Sequence, residues 1–369
     1  MAEKQILITG GSGYLGLSLA RKFLEAGDNP VTLWIHAAGA RELHAKRRRI
    51  ERQLKSFGGR VRYHAGELGA ARPFESVDPR EIGMILHAAA VTRFNIDWET
   101  ARGVNVEGAE KILRFAAQCP YLEAIGLLST VYASGLTPGP IEEQPLENGY
   151  GFANHYEWSK WETESLLLRR FKDLPWRLFR IATVISTDDR GRVEQWNAFH
   201  NTLRLFYYGL QSFIPGRPAT PLYFVTEQFV TEAVFSLMRL QSERAIYHVS
   251  PGSRESLALG ELIDIAFETF EQDPEFKNRR VLKPLYSDEE SFRLLAEGLG
   301  SFDSSVIFQT VSSVVPFARQ LFVDKEIKNQ RLVSALSNVH FPEPCRLVRK
   351  TCDFLVQTRW GRRSADEPY

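Results

Sequence analysis

The sequence predicts an α/β fold, a doubly wound parallel sheet with a smaller, helix-rich C-terminal lobe. Three observations carry that prediction. Short apolar runs alternate with amphipathic stretches from the N-terminus to about residue 130, the pattern of a parallel sheet with helices on both faces. A glycine-rich turn, "TGGSGYLG" at 9–16, follows the first apolar run directly. After about residue 190 the alternation gives way to an aromatic and then a largely helical pattern.

The elements follow in order. Ile6 to Ile8 form a short apolar run that reads as a buried parallel strand. Residues 14–27 carry apolar side chains at helical spacing and stop at Gly27. A second strand spans 30–37, a basic helix 41–58, a third strand 60–68 and a fourth 81–90. "VNVEGAEKILRFAAQC" reads as a helix, and 122–130 as the fifth strand. Beyond 190, "VEQWNAFHNTLRLFYYGLQSFIPG" is aromatic and helical with a Pro-Gly stop, and 245–252 is a late strand that returns to the main sheet. The stretch 253–369 reads as mostly helical, broken at Pro342 and Pro344. The division expected is 1–190 for the sheet domain and 191–369 for the lobe.

Composition narrows the function classes. The 369 residues are 44% hydrophobic and 25% charged, with a net formal charge of +1. That balance excludes a molecule-wide electrostatic attraction to nucleic acid. The three cysteines, Cys119, Cys345 and Cys352, are few and widely spaced, which fits a reducing compartment and offers no metal-ligand spacing. With no signal-peptide pattern at the start, the expected location is the cytoplasm.

Gly10, Gly13 and Gly16 sit between a strand and a helix. Glycines there let the backbone turn tightly and approach a pyrophosphate, which then faces the helix N-terminus. This is the Rossmann arrangement for NAD(P). At the end of the second strand no acid precedes Glu42, whereas His36, Arg41 and the run 46–49 are basic. The pattern favours NADP over NAD as cofactor, although a basic helix also serves as a solvated face. Ala88 and Ala89 in "HAAAVTRFN" allow close approach of a cofactor, or tight strand–helix packing. Ser129 and Thr130 end the fifth strand, the zone where ligands bind in such sheets. Tyr156 and Lys160 lie four apart in "HYEWSKWETE", on one helix face. An ammonium beside a phenol favours the phenolate, and a phenol so tuned can pass a proton to a carbonyl oxygen. The same spacing also occurs on ordinary helix surfaces.

Together the glycine turn, "GEL" at 66–68, "HAAA", Val104-Asn105, "ST", "YEWSK" and "IYHVS" resemble the extended short-chain dehydrogenase/reductases, from residue 4 to about 265. "HAAAVTRF", "GFANHYEWSKWETE" and the stretch from "FRIATVIS" to "QWN" are most similar to the fatty-acyl reductase and thioester-reductase, or male-sterility-like, branch. The resemblance implies that Thr130 polarises the substrate carbonyl and Tyr156 is the general acid. It implies that Lys160 binds the nicotinamide ribose and that Asn105 supports the lysine. Gly10, Ser12, Gly13, Tyr14, Leu15 and Gly16 then form the phosphate loop, and Glu67 with Leu68 lies near the adenine. Glu67 stands where the family usually has Asp, and Ile181 where it usually has Pro.

The function expected is NADPH-dependent reduction of a lipophilic or thioester-linked acyl carbonyl, on a small molecule or a carrier-protein-linked substrate. The aromatic run 196–214 would line an apolar pocket. Alternatives are an NAD-dependent dehydrogenase or epimerase acting on a secondary hydroxyl, and a non-catalytic NADP-binding regulator. In the tail, Val306, Ile307, Phe308, Val314, Val315, Phe317, Leu321, Phe322 and Val323 form an apolar cluster. It is read as core or oligomer packing rather than a membrane-surface contact.

Overall fold

The computed structural model describes residues 4–241, 244–300, 315–336 and 338–362. The first half alternates as the sequence predicts: β1 (Gln5–Thr9), α1 (Tyr14–Ala26), β2 (Val31–Ile35), α2 (Ala40–Gln53), β3 (Val61–Ala65) and β4 (Ile82–His87). A short α3 (Trp98–Thr100), a π-helical stretch (Ala101–Val106) and α4 (Glu107–Ala116) then lead to β5 (Ala124–Thr130). After these come β6 (Gly139–Ile141), α5 (His155–Arg170), β7 (Trp176–Ile181) and β8 (Thr183–Ser186). The later chain holds α6 (Ala198–Tyr207), β9 (Phe213–Pro215), β10 (Pro221–Leu222), β11 (Phe224–Thr226), α7 (Glu227–Arg239) and β12 (Ala245–Val249). It continues through β13 (Leu257–Ala258), α8 (Leu259–Phe270), α9 (Pro274–Arg279), β14 (Leu285–Ser287), α10 (Glu289–Gly300), β15 (Lys325–Ile327), α11 (Gln330–Ala335) and α12 (Pro344–Gln357).

Seven strands form the main sheet in the order β12-β7-β5-β4-β1-β2-β3, all parallel. The late strand at 245–249 does return to it, beside β7. The chain runs outward from β1 to β3, then crosses back to β4 and proceeds the other way. The crevice at the carboxyl ends of β1 and β4 is therefore the switch point where such sheets bind ligands.

Alternating side chains feed two layers. Ile6 and Ile8 join α1 and α7 through Leu17, Phe23, Val234 and Phe235 on one face. Leu7, Ile85, Ile125 and Leu127 join α4 and α5 through Ile112, Leu113 and Leu167 on the other. Every residue of β1, β2, β5, β7 and β12 is buried, as strands covered on both faces must be.

The lobe has its own core. Phe206 and Tyr207 of α6 pack with Phe267, Phe270, Phe276 and Trp360. These rings of the aromatic run thus fill the lobe interior rather than line a pocket, because the apolar stripe of α6 faces α8. Trp196 and Phe199 stay half-buried. Pro344 does not break a helix but opens α12, a first-turn position where its missing N–H costs nothing. Of the apolar tail cluster, 306–308 and 314 lie outside the described residues; Phe317 and Leu321 pack on the lobe core. No helix among the described residues is long and apolar enough to cross a membrane.

Candidate active site at the switch point

The glycine turn closes because Gly10 adopts a positive φ of 69° and accepts the Gly13 N–H at 2.8 Å. A Cβ on Gly16 would collide with the Gly10 carbonyl oxygen. Helix α1 then starts after Gly13, which supplies no side-chain cap, so its first N–H groups are left for a ligand. A Cβ on Gly13 would meet only the Gly10 carbonyl oxygen, at 3.1 Å, and the space over the turn is otherwise open. These features fit a dinucleotide pyrophosphate.

Ala88 and Ala89 are placed against the same turn. A Cβ on Gly10 would approach the Ala89 nitrogen to 2.8 Å, and the Ala88 N–H donates to the Thr9 carbonyl at 3.2 Å. The small residues therefore do lock the turn onto β4, the packing role the sequence left open. Ser12 on the loop and Leu15 in the first turn of α1 are both half-exposed. Tyr14 turns away, its hydroxyl bonded to Thr187 Oγ1 at 2.8 Å, and burial raises its phenol pKa.

At the end of β2, His36 and Arg41 are exposed. Lys46 Nζ donates to the His36 carbonyl at 2.8 Å, and Arg49 reaches the glycine turn by donating to the Ser12 carbonyl. The nearby carboxylate, Glu42, is held by the Ala38 N–H at 2.8 Å and by Lys46 at 2.7 Å. Glu67 is exposed at the end of β3 and borders a shallow depression of about 320 Å³. The Leu68 side chain is buried in the α4 core, leaving only its backbone to a ligand, and its carbonyl accepts from Lys111 Nζ at 2.7 Å.

Helix α5 positions the Tyr–Lys pair through its cap. Asn154 Oδ1 accepts the Glu157 N–H at 3.0 Å, while Glu157 Oε2 accepts the Ala153 N–H at 2.9 Å, a reciprocal cap that fixes where the helix begins. Tyr156 thus sits in the first turn and Lys160 one turn on, and both are buried. Lys160 Nζ lies 5.9 Å from the Tyr156 ring centre and donates to the Leu128 carbonyl at 3.0 Å. Thr130 ends β5; its Oγ1 accepts the Tyr132 N–H at 3.3 Å, so its own hydroxyl proton remains for a ligand. The Tyr156 hydroxyl bonds to no protein group among the described residues.

Burial governs the electrostatics. It lowers Lys160 to about 8, against an opposing pull from Glu164. It lowers His87 to about 3, with Lys160 adding to the effect. It also raises the Tyr156 phenol, and Glu157 reinforces the rise. The lysine was expected to lower this phenol, whereas its burial raises it.

Asn105 falls in the π-helical stretch that leads into α4, where the expected helix begins. Its Nδ2 donates to the Val91 carbonyl at 3.0 Å and to Ser159 Oγ at 2.9 Å, and its Oδ1 accepts the Val91 N–H at 2.8 Å. It ties the loop after β4 to α5, one residue from Lys160. Sequence reading missed the support behind the pair. Ser129 Oγ donates to Glu164, and Glu164 is paired at 2.8 Å with Arg180, both fully buried. The spacing of Glu164, four after Lys160, was the available signal. The tryptophans flanking Tyr156 are structural neighbours: Trp158 packs on Trp98 and Trp161 Nε1 donates to the Leu146 carbonyl.

Comparison with known proteins bears on the family and the fold. The pattern for the family described as "Male sterility protein" covers residues 8–234. Isonitrile lipopeptide synthase of Streptomyces coeruleorubidus is 27% identical over 213 residues, 54% of this chain and 14% of that protein. Fatty acyl-CoA reductase 8 of Arabidopsis thaliana is 27% identical over 170 residues, 40% of this chain and 34% of that protein. The chain therefore aligns with only a minor part of the length of each. A solved structure of the terminal R domain from the myxalamid PKS-NRPS biosynthetic pathway superposes with a TM-score of 0.73 at 19% identity, covering 100% of this chain and 93% of that one.

Proposed function

The chain belongs to the male sterility protein family, and from that premise we propose that it is an NADPH-dependent reductase of acyl thioesters. The single observation that carries the reading is that Lys160, on the helix of Tyr156, donates to the Leu128 carbonyl of β5, the strand that Thr130 ends. Relatives named fatty acyl-CoA reductase support the substrate class. The reading assigns cofactor binding to residues 1–190 and substrate binding to 191–369, with β12 returning to the sheet.

When bound, NADPH supplies the hydride that adds to the carbonyl carbon. Gly10, Gly13, Gly16 and the first N–H groups of α1 would hold its pyrophosphate. Arg49, Lys46, His36 and Arg41 would face its 2′-phosphate, which favours NADPH over NADH. Thr130 and Tyr156 hold the carbonyl oxygen as negative charge develops there. The protonated phenol of Tyr156 then donates its proton to that oxygen, and the Lys160 ammonium stabilises the phenolate left behind. The tetrahedral hemithioacetal loses its hydroxyl proton and breaks its C–S bond, and the departing thiolate is protonated. The products are an aldehyde and a free thiol. The acyl group is carried on coenzyme A or on a carrier-protein thiol.

The test is Tyr156→Phe. Acyl-CoA-dependent NADPH oxidation should fall about 10²- to 10⁴-fold, the range for loss of a positioned acid, while NADPH affinity stays within about twofold. Full activity in Tyr156→Phe would end this mechanism.

A further inference from the structure

The tail segment after residue 315 lies over the first turn of α5, more than 150 residues away in sequence. Phe317 is the point of contact. Its ring stacks on Phe94 with centres 5.1 Å apart and planes 19° apart, and Phe94 in turn meets the Tyr156 ring edge-on at 5.7 Å. On its other side Phe317 meets Tyr132 at 5.1 Å, nearly perpendicular, and Tyr132 follows Thr130 by two residues. One ring thus bridges the aromatic neighbours of both groups that would hold a substrate carbonyl. All three of Phe94, Tyr132 and Phe317 are half-buried, so each keeps a free surface.

A polar latch fixes the segment. Gln320 Nε2 donates to Glu157 Oε2 at 2.8 Å and to the Gly135 carbonyl at 3.0 Å. Asn154 Nδ2, from the α5 cap, donates to the Pro316 carbonyl at 2.8 Å. Lys325 Nζ donates to Ser134 Oγ at 3.0 Å and also reaches the Gly135 carbonyl. Glu157, Gln320 and Lys325 are all buried. An apolar core would hold the segment without this set, so its hydrogen bonds specify one register of the tail on α5.

We propose that Phe317, held in place by the Glu157–Gln320–Lys325 latch, is the specificity wall of the site and selects acyl chains unbranched at the carbon next to the carbonyl. The inference rests on the reading of Tyr156 and Thr130 as the carbonyl-binding pair. A flat aromatic face beside the rings of Tyr156 and Tyr132 would accommodate a slim methylene chain and clash with a side branch there. Gln320 is a positioning residue in this scheme, since it acts only through the placement of Phe317.

The test measures binding, so it does not depend on turnover. S-octyl- and S-(2-ethylhexyl)-coenzyme A thioethers are titrated calorimetrically into the full chain with NADP⁺ present. The wild type should favour the straight thioether. Phe317→Ala should shift the ratio of affinities toward the branched one by about tenfold, the scale of a methylene-sized fit. Gln320→Leu should shift it in the same direction, although it does not line the site. A structural role alone would weaken both ligands alike and leave the ratio unchanged, and that result overturns the proposal, as does failure of both thioethers to bind the wild type. Should Phe317→Ala melt early, Phe317→Leu keeps apolar bulk without the flat face and should move the ratio with the same sign. Normal thioether discrimination with no reduction of octanoyl-CoA would instead count against the reductase reading while leaving the wall intact.

Discussion

Replacing Lys160 by Met should make the protein inactive and more stable. Burial lowers the Lys160 ammonium from 10.5 to about 8. That difference between unfolded and folded chains corresponds to about 3 kcal/mol of destabilisation at neutral pH. The sign follows from proton counts. Between pH 8 and 10.5 the unfolded chain binds more protons than the folded one, so wild-type stability rises with pH across that window; below it the full penalty is present. Methionine matches the length of the lysine stem without the charge. It forfeits the bond from Nζ to the Leu128 carbonyl, a loss of about 1 kcal/mol. The net expectation is a gain of about 2 kcal/mol at pH 7, closing near pH 10. Urea unfolding followed by tryptophan fluorescence, at both pH values and without cofactor, measures it. A Lys160→Met chain that is less stable than wild type at pH 7, or whose gain is the same at pH 10, would refute the reasoning.

Two further expectations follow from the support around the site. Arg180→Met leaves Glu164 as a buried, unpaired carboxylate and should cost about 3 to 5 kcal/mol in urea unfolding; adding Glu164→Met should recover most of it, and strict additivity would show that the pair is not coupled. Arg49→Ala removes the guanidinium that reaches the glycine turn and should raise the KM for NADPH by about tenfold, the scale of one charge-assisted hydrogen bond. The KM for NADH should hardly change; equal effects on both would remove Arg49 from the 2′-phosphate site.

Much of the sheet was legible because a parallel strand buried on both faces must be apolar along its length, as in "ILI" and "IGLLST". The glycine turn was legible for a related reason. Gly10 and Gly16 occupy places where a Cβ would strike backbone, so the requirement is local and leaves a mark in the sequence. Other positions depended on distant partners. The helix expected from Val104 onward opens on a π-helical stretch, in which Asn105 bonds across to Val91 and Ser159. Pro344 was read as a break, yet the Glu343 carboxylate accepts the Cys345 and Arg346 N–H groups and makes it a helix start. The aromatic run was assigned to a pocket, but Phe206 and Tyr207 found partners in α8, α9 and the chain end.

By itself the sequence determined the alternating sheet, the glycine turn and the placing of Tyr156 and Lys160 on one helix face. Those features rest on periodicity and on steric demands within a few residues. Only the tertiary structure buries the Tyr156 phenol and so raises its pKa. Only it set Arg180 behind Glu164, stacked Phe317 on Phe94, brought Gln320 onto the helix that carries Tyr156, and placed Lys325 against Ser134. Desolvation and long-range pairing depend on which surfaces meet after the chain has crossed the sheet, and no local spacing encodes that meeting.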